Sequence, residues 1–330
     1  MVGALSFTVP PFTRENYLGQ GGHGIVFRTG KDTAVKLVPL QTLPFPTLPY
    51  EPLEVQDLED HLVVKGRVME LTLVAKLDLR FAQREYLALQ RLQGRDHLLQ
   101  AHTHSYAAVE SFLCSVLEMA YVSGNTISSF REDGYGLLDI GKITMDLVDA
   151  LSGLEEEGLI HGDVKPANVI YQAGSMAYQS NAVLIDFDTV LFNDDDMKIS
   201  MMGSYNYFSP DHIHSDFTPA LDLFSLGLVA RTLILGGEEL MTRYRHLPAS
   251  QQSRAHLKFL YNYSNFQRDI LVLELKQMGA PDAFSEAIGI CLDATPSLRN
   301  PQPLRQEAQR LAMGAYPSKV YQNHYELLSL

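Results

Sequence analysis

This chain is short of cysteine, of positive charge and of long apolar runs. Its two cysteines, Cys114 and Cys291, lie far apart in apolar neighbourhoods. They make neither a disulfide framework nor a Cys/His metal site, which fits a reducing compartment. Lysine and arginine number 26 against 39 aspartates and glutamates, a formal net charge of −13. That balance argues against nonspecific binding to nucleic acid or anionic membranes. A local basic group, Arg243, Arg245, Arg254 and Lys258, reads as solvated surface. No apolar run approaches the length of a membrane span. The N-terminus has no basic region followed by a long apolar stretch, so no secretory signal is expected. These absences describe a soluble protein, cytoplasmic or otherwise intracellular. A folded effector exported by a specialised route into a host cell would leave the same record.

What is present suits a globular fold. The 330 residues are 46% hydrophobic and 20% charged, enough for two lobes and a sizeable core. Residues 16–40 read as short strands and turns, with Ile25 to Phe27 and Thr33 to Val38 as the apolar segments. Pro39, Pro44, Pro46, Pro49 and Pro52 then exclude a continuous helix and suggest a surface insertion. Residues 61–77 fit either a hairpin or the approach to a helix. The spacing of Phe81, Tyr86, Leu89 and Leu92 predicts a helix from Leu79 to Leu92, stopped by Gly94. Residues 106–122 read as two strands. Beyond Gly124 the pattern turns helical, with segments at 137–157, 220–235, 283–292 and 302–312. A strand-rich first third and a helical remainder imply two lobes joined near residues 118–125.

The chemistry concentrates in His161-Gly162-Asp163-Val164-Lys165-Pro166-Ala167-Asn168-Val169-Ile170, followed by Val183-Leu184-Ile185-Asp186-Phe187-Asp188. Two carboxylates, a carboxamide and an ammonium held by apolar segments suit Mg²⁺-assisted phosphoryl transfer to a hydroxyl. Asp163 would take the proton, Lys165 would steady the moving charge, and Asn168 and Asp186 would hold metal. Upstream, Gly19-Gln20-Gly21-Gly22-His23-Gly24 lies between strand-like pieces. Glycines let backbone N–H groups approach phosphate oxygens. Alone, that cluster fits a plain glycine-rich hairpin equally well. Its exit into a strand disfavours a dinucleotide fold. Lys36 follows on an apolar strand, and Glu85 on the next helix is the first candidate to orient it, with Glu70 the second.

Taken in order, the glycine loop, strand lysine, helix glutamate, His161-to-Asn168 run and Asp186-Phe187 resemble the eukaryotic-type protein kinase superfamily, from about Tyr17 to Arg310. The resemblance implies an α+β bilobal fold: a β-rich N-lobe with one main helix over 12–121, carrying an insertion at about 39–77, and a mostly α-helical C-lobe over 122–330. It implies ATP and Mg²⁺ as cofactors, with Mn²⁺ as an alternative, and a protein as substrate. Gly19, Gly21, Gly22 and Gly24 would meet phosphates, and Lys36, paired with Glu85, would contact the α and β phosphates. Val26 and Ala34 with Ile170 would enclose adenine, and Glu118 to Tyr121 would form a hinge that binds the base through backbone groups. Asp163 would be the base, and Asn168 and Asp186 the metal ligands. His161, Phe187, Leu89 and Asp222 match an internal stack.

Gly203-Ser204-Tyr205-Asn206-Tyr207-Phe208-Ser209-Pro210-Asp211 resembles the end of an activation segment. Arg299 resembles the arginine that pairs with its acidic residue, here Asp211. This block favours a protein substrate, and Lys165 matches the Ser/Thr branch.

Three features depart from the family pattern. Gly162 stands where many members carry an arginine that receives a phosphorylated loop, so activity independent of such phosphorylation is expected. Asp188 replaces a glycine, either as a tolerated variant or as a change in metal preference. The 39–77 insertion is either functional, docking a partner or holding the helix, or a tolerated surface excursion. Asp194-Asp195-Asp196 reads as a solvated acidic loop, with mimicry of a phosphate as the alternative. Two other functions remain beside a catalytic protein Ser/Thr kinase: a pseudokinase scaffold, and an atypical transferase acting as a small-molecule kinase or nucleotidyltransferase.

Overall fold

The structure, a computed structural model, describes residues 12–21, 24–58, 61–129, 135–175, 179–193, 204–214, 217–236 and 247–316. Gly22, His23, Arg243, Arg245, Gly203 and the Asp194 to Asp196 run lie outside the described residues. The chain divides into two compact units. Unit 1 comprises Met1–Gly94, Leu99–Val122 and Asp186–Asp188; unit 2 comprises Arg95–Leu98, Ser123–Ile185 and Thr189–Leu330.

In unit 1, strands β1 (Tyr17–Gln20), β2 (Ile25–Arg28), β3 (Thr33–Thr42), β4 (Tyr50–Leu53), β8 (Ala101–Val109) and β9 (Phe112–Ala120) form one antiparallel sheet in the order β1-β2-β3-β9-β8-β4. A second sheet joins β5 (Val55–Leu58), β6 (His61–Val64) and β7 (Arg67–Glu70). Helix α1 (Leu73–Arg91) follows, capped by the Thr72 hydroxyl, which accepts from the Ala75 amide at 3.2 Å.

The helix begins six residues before the expected Leu79. Leu73, Val74 and Leu77 are exposed, while Ala75, Leu79, Ala82, Ala88 and Leu89 are buried. Exposed apolar residues at its start blur the periodicity on which a sequence reading depends.

The 39–77 insertion is exposed at Pro44, Pro46, Leu48, Pro49 and Pro52 and buried at Leu40, Leu43, Leu53, Leu62, Val64, Met69 and Leu71. Strand β3 runs on through Pro39, with a register shift between Pro39 and Gln41. Pairing of β3 with β2 stops at Leu37, so the missing N–H of Pro39 breaks no ladder on that side. Pro52 sits on β4, the sheet edge, where a proline is tolerated. Leu40, Leu43, Leu53, Leu62, Val64, Met69 and Leu71 form one apolar cluster with Ala75, Leu79 and Ala82 of α1. The insertion therefore supplies most of the apolar residues clustered with this helix.

Unit 2 contains helices α2 (Leu137–Glu156), α3 (Asp211–His214), α4 (Ala220–Leu235), α5 (Ala249–Tyr261), α6 (Asn265–Gln277), α7 (Asp282–Cys291) and α8 (Pro301–Ala312). The sequence pattern marks α2, α4, α7 and α8 but not α5, where Tyr261 is exposed, nor α6, where Phe266 and Leu273 are exposed. Strand β10 (Asn125–Thr126) pairs with β12 (Val169–Gln172), which pairs with β13 (Asn181–Leu184); β11 (Leu159–Ile160) pairs with β14 (Leu191–Phe192). The loop after β11 and the turn after β13 carry the two motif runs. Among the described residues, no helix is long and apolar enough to cross a membrane.

Candidate active site

The residues singled out from sequence fall into one set in each unit. In unit 1, Lys36 lies on β3 with its side chain buried, and its Nζ donates to Glu85 Oε2 at 2.8 Å and Asp186 Oδ1 at 3.2 Å. Of the two candidates, Glu85 rather than Glu70 meets the lysine, because α1 turns the face of Ala82, Glu85 and Leu89 inward. Lys36 Nζ also donates to Asp188 Oδ1.

This contact makes position 188 a third carboxylate on the lysine. Residue 188 is not among the positive-φ positions, whereas Asp186 is, at φ 66°. The backbone here therefore has no need of glycine at 188.

Burial pulls the Lys36 pKa down, but Asp188, Glu85 and Asp186 outweigh it and leave the ammonium well above its ordinary value. Burial drives the Glu85 carboxyl up. Lys36 opposes that shift, and the neighbouring Asp188 and Asp186 charges add to it. Asp186 is raised for the same reason, first by burial. One oxygen from each of the three acids lies within 4.8 Å of the others, and the lysine ammonium is bonded to all three.

The glycine turn adjoins this set. Gly21 N–H donates to Gly24 carbonyl O at 2.9 Å, so that amide is already spent within the turn. A Cβ at Gly24 would lie 2.9 Å from the Leu37 carbonyl O and 3.1 Å from Lys36 Cγ, so only glycine fits. A Cβ at Gly19 would meet open space. Ala34 is buried and Val26 half-buried on the neighbouring strands. Glu118 lies opposite Val35 on β9. In the expected hinge, the Ala120 and Tyr121 amides donate to Gln100 O and Asp32 O, at 2.8 and 2.9 Å. Those two amides are thus engaged within unit 1. Phe187 and Leu89 are fully buried.

In unit 2, Asp163 is held on both oxygens. Oδ1 accepts from the Ser204 amide at 2.7 Å; Oδ2 accepts from Lys165 Nζ at 2.5 Å and from Asn168 Nδ2 at 3.2 Å. Asn168 Nδ2 also reaches the Asp163 carbonyl at 3.0 Å, closing the turn between them. Lys165 Nζ donates to Ser204 Oγ at 2.8 Å. Ser204, marked in the sequence only as part of the 203–211 run, bonds both Asp163 and Lys165. It lies 41 residues from Asp163, and no local pattern announces the contact.

The loop is fixed from behind by buried Asp222, whose Oδ2 and Oδ1 accept from the His161 and Gly162 amides at 2.7 and 3.0 Å. Burial raises the Asp222 pKa, against the pull of His161 and the two amides. Gly162 has φ 78°, and a Cβ there would lie 2.9 Å from the Thr189 carbonyl O. Asp222 and Gly162 together therefore set the backbone that aims Asp163. Ile170 lies half-buried on β12. Arg299 pairs with Asp211 and also donates to Asp293 O at 2.8 Å and Ala220 O at 2.9 Å, tying the residues after Ser204 to α4.

Oxygen donors of the kind Asp186 and Asn168 offer, a carboxylate and a carboxamide, suit a hard divalent cation such as Mg²⁺ or Mn²⁺. The arrangement in unit 2 suits proton acceptance: a carboxylate aimed by three donors, with an ammonium beside it to offset negative charge.

Comparison with known proteins agrees with this chemistry. A family model described as protein kinase domain matches residues 57–300. The match begins beyond the glycine turn and Lys36, so their place in the site rests on the geometry given above. CDPK-related kinase 8 of Arabidopsis thaliana is 25% identical over 190 residues, 54% of this chain and 30% of that protein. Serine/threonine-protein kinase Kist of Homo sapiens is 24% identical over 190 residues, 53% of this chain and 43% of that protein. A calcium/calmodulin-dependent protein kinase, cmkA of Emericella nidulans, is 31% identical over 101 residues, 30% of this chain and 24% of that protein. The matched region spans less than half the length of each of these relatives.

Proposed function

The chain belongs to the protein kinase family, and from that premise we propose that it is an ATP-dependent protein serine/threonine kinase. The observation that carries this reading is the cluster around Asp163, where Lys165, Asn168 and the Ser204 amide hold a carboxylate ready to accept a proton. A substrate hydroxyl would lose its proton to Asp163 as it attacks the γ-phosphoryl group. Lys165 would offset the charge that builds on the transferring oxygens. Lys36, oriented by Glu85, would hold the α and β phosphates. Val26, Ala34 and Ile170 would offer apolar surface to adenine, and Glu118 a backbone contact. Backbone groups of Gly19, Gly21, Gly22 and Gly24 would line the phosphates, with the Gly21 amide first leaving its turn partner. Asn168 and Asp186 would hold Mg²⁺, which when bound neutralises phosphate charge.

Incubation of wild type, Asp163→Ala and Asp186→Ala with γ-labelled ATP, Mg²⁺ and a cell lysate tests the proposal. A labelled protein band lost in both variants supports it. Equal labelling in all three refutes it. The same assay with α-labelled ATP separates phosphorylation from nucleotidyl transfer.

Activity is expected to be independent of activation-loop phosphorylation. Position 162 offers no guanidinium to a phosphate, and its φ of 78° with the close Thr189 carbonyl disfavours any side chain there. Phosphatase treatment of the purified protein should leave its rate unchanged; abolished activity would show that a phosphate is needed.

A further inference from the structure

An ammonium has three hydrogens to donate, and on Lys36 all three are met by carboxylates. Glu85 Oε2 lies at 2.8 Å, Asp186 Oδ1 at 3.2 Å, and Asp188 Oδ1 closes the set. Lys36, Glu85 and Asp188 are buried, and the Asp186 side chain is 30% exposed. The second oxygens of the two aspartates lie near Gly21: a Cβ built there would lie 3.9 Å from both Asp186 Oδ2 and Asp188 Oδ2. The space beside the lysine and below the turn is therefore lined by acid.

Glu85 and Asp186 have tasks in the proposed reaction, one orienting the lysine and one holding metal. Asp188 has none, yet it bonds the lysine directly. We propose that Asp188 is a built-in competitor of nucleotide for Lys36, so that phosphate binds only by displacing it. The inference rests on the proposed role of Lys36 in holding phosphates.

Its physical basis is exchange of one charge-assisted hydrogen bond for another. A phosphate oxygen needs an N–H of Lys36, and each is already given to a carboxylate. A negative phosphate approaching Asp188 and Asp186 also meets like charge in a poorly solvated place, where repulsion is screened little. Removing the Asp188 charge frees one donor and relieves that repulsion. A divalent cation would have the same effect by another route, since it neutralises acid and phosphate alike. Competition is therefore strongest when no such cation is present.

The test measures binding of a fluorescent ADP analogue, N-methylanthraniloyl-ADP, to the purified full chain, in EDTA and in Mg²⁺. Wild type is compared with Asp188→Asn, which keeps the side chain's shape, and with Asp188→Gly. Each substitution is also made with Lys36→Met. In EDTA both Asp188 variants are expected to bind about ten-fold more tightly than wild type, the scale of one hydrogen bond to a charged group. The gain should vanish in the Lys36→Met background, an outcome that a merely structural role for Asp188 would not give. Equal affinities overturn the inference, as does a gain that survives Lys36→Met. Weaker binding by the Asp188 variants, the behaviour of a metal or phosphate ligand, also overturns it. If no chain binds the analogue in either buffer, the proposed function itself fails, and that result is distinct from the others.

Discussion

Asp222 and His212 show how much single buried groups carry in unit 2. Asp222 is the acceptor for two buried amides, His161 and Gly162. Asp222→Ala removes the acceptor of both donors, at about 1–3 kcal/mol each. A loss of about 2–6 kcal/mol in chemical denaturation is expected, together with a fall in kcat, because the same amides set the backbone of Asp163. A full-strength kcat would show that Asp222 does not position the base. His212 stacks on Phe208 at 4.3 Å between ring centroids, and its Nδ1 accepts from the Ser209 amide at 3.0 Å. Burial lowers its pKa to about 4. The unfolded chain, with an ordinary histidine near 6.5, binds the extra proton first as pH falls. Stability from this group is therefore full above about pH 6.5 and is lost as pH drops toward 4, by about 3 kcal/mol in all. Denaturation midpoints of wild type and His212→Gln at pH 7 and pH 4.5 check the sign: the wild type should lose more.

At the scale of elements, two contacts decide where the functional side chains stand. The sheet β5-β6-β7 buries Leu62 and Val64 against the face of α1 that holds Ala75, Leu79 and Ala82, one turn ahead of Glu85. Leu62→Ala should cost about 2–5 kcal/mol through the cavity it leaves. It should also weaken activity, because the lost packing frees the helix carrying Glu85. Circular dichroism in urea, run beside the kinase assay, reads both effects; unchanged activity at reduced stability would leave the insertion a purely structural role. In unit 2, α2 and α8 meet at Gly141, where a Cβ would lie 2.5 Å from both the Ala308 carbonyl O and the Ala312 amide N. Gly141→Ala forces these backbones apart and should cost about 1–3 kcal/mol, measurable by the same urea titration.

Across the whole molecule, net charge and ligand linkage give the observable properties. With a formal charge of −13, the protein should pass through a heparin column at physiological salt; retention would point to a basic surface that the summed charge conceals. Under the proposed function, Mg-ATP binds the folded chain and not the unfolded one. At a hundred times its dissociation constant it should add about 2.7 kcal/mol and raise the melting temperature. Asp186→Ala should abolish most of that rise. An equal rise in the variant would remove Asp186 from the metal site.

Much of the site was legible because its residues are close in sequence. Asp163, Lys165 and Asn168 share one turn, and Asn168 closes it through its own amide, so spacing alone implies their meeting. Four of the long helices show in their apolar patterns. Glu85 is marked by Leu89 four residues on, which shares its helical face, and that is a local property. What the sequence could not show is pairing over distance. Ser204 reaches Asp163 across 41 residues and Asp188 reaches Lys36 across 152, and neither carries a periodic or spacing signal. Exposed Phe266 and Leu273 dilute the buried stripe of α6, as exposed Tyr261 does at the end of α5. The prolines of the insertion argue against a helix, and the fold places Pro39 at a register shift of β3 and Pro52 on the edge strand β4. The order of residue types along the chain thus determined the family resemblance and the chemistry available. The tertiary structure decided which charges face each other, because burial places three acids on one lysine however far apart the chain holds them.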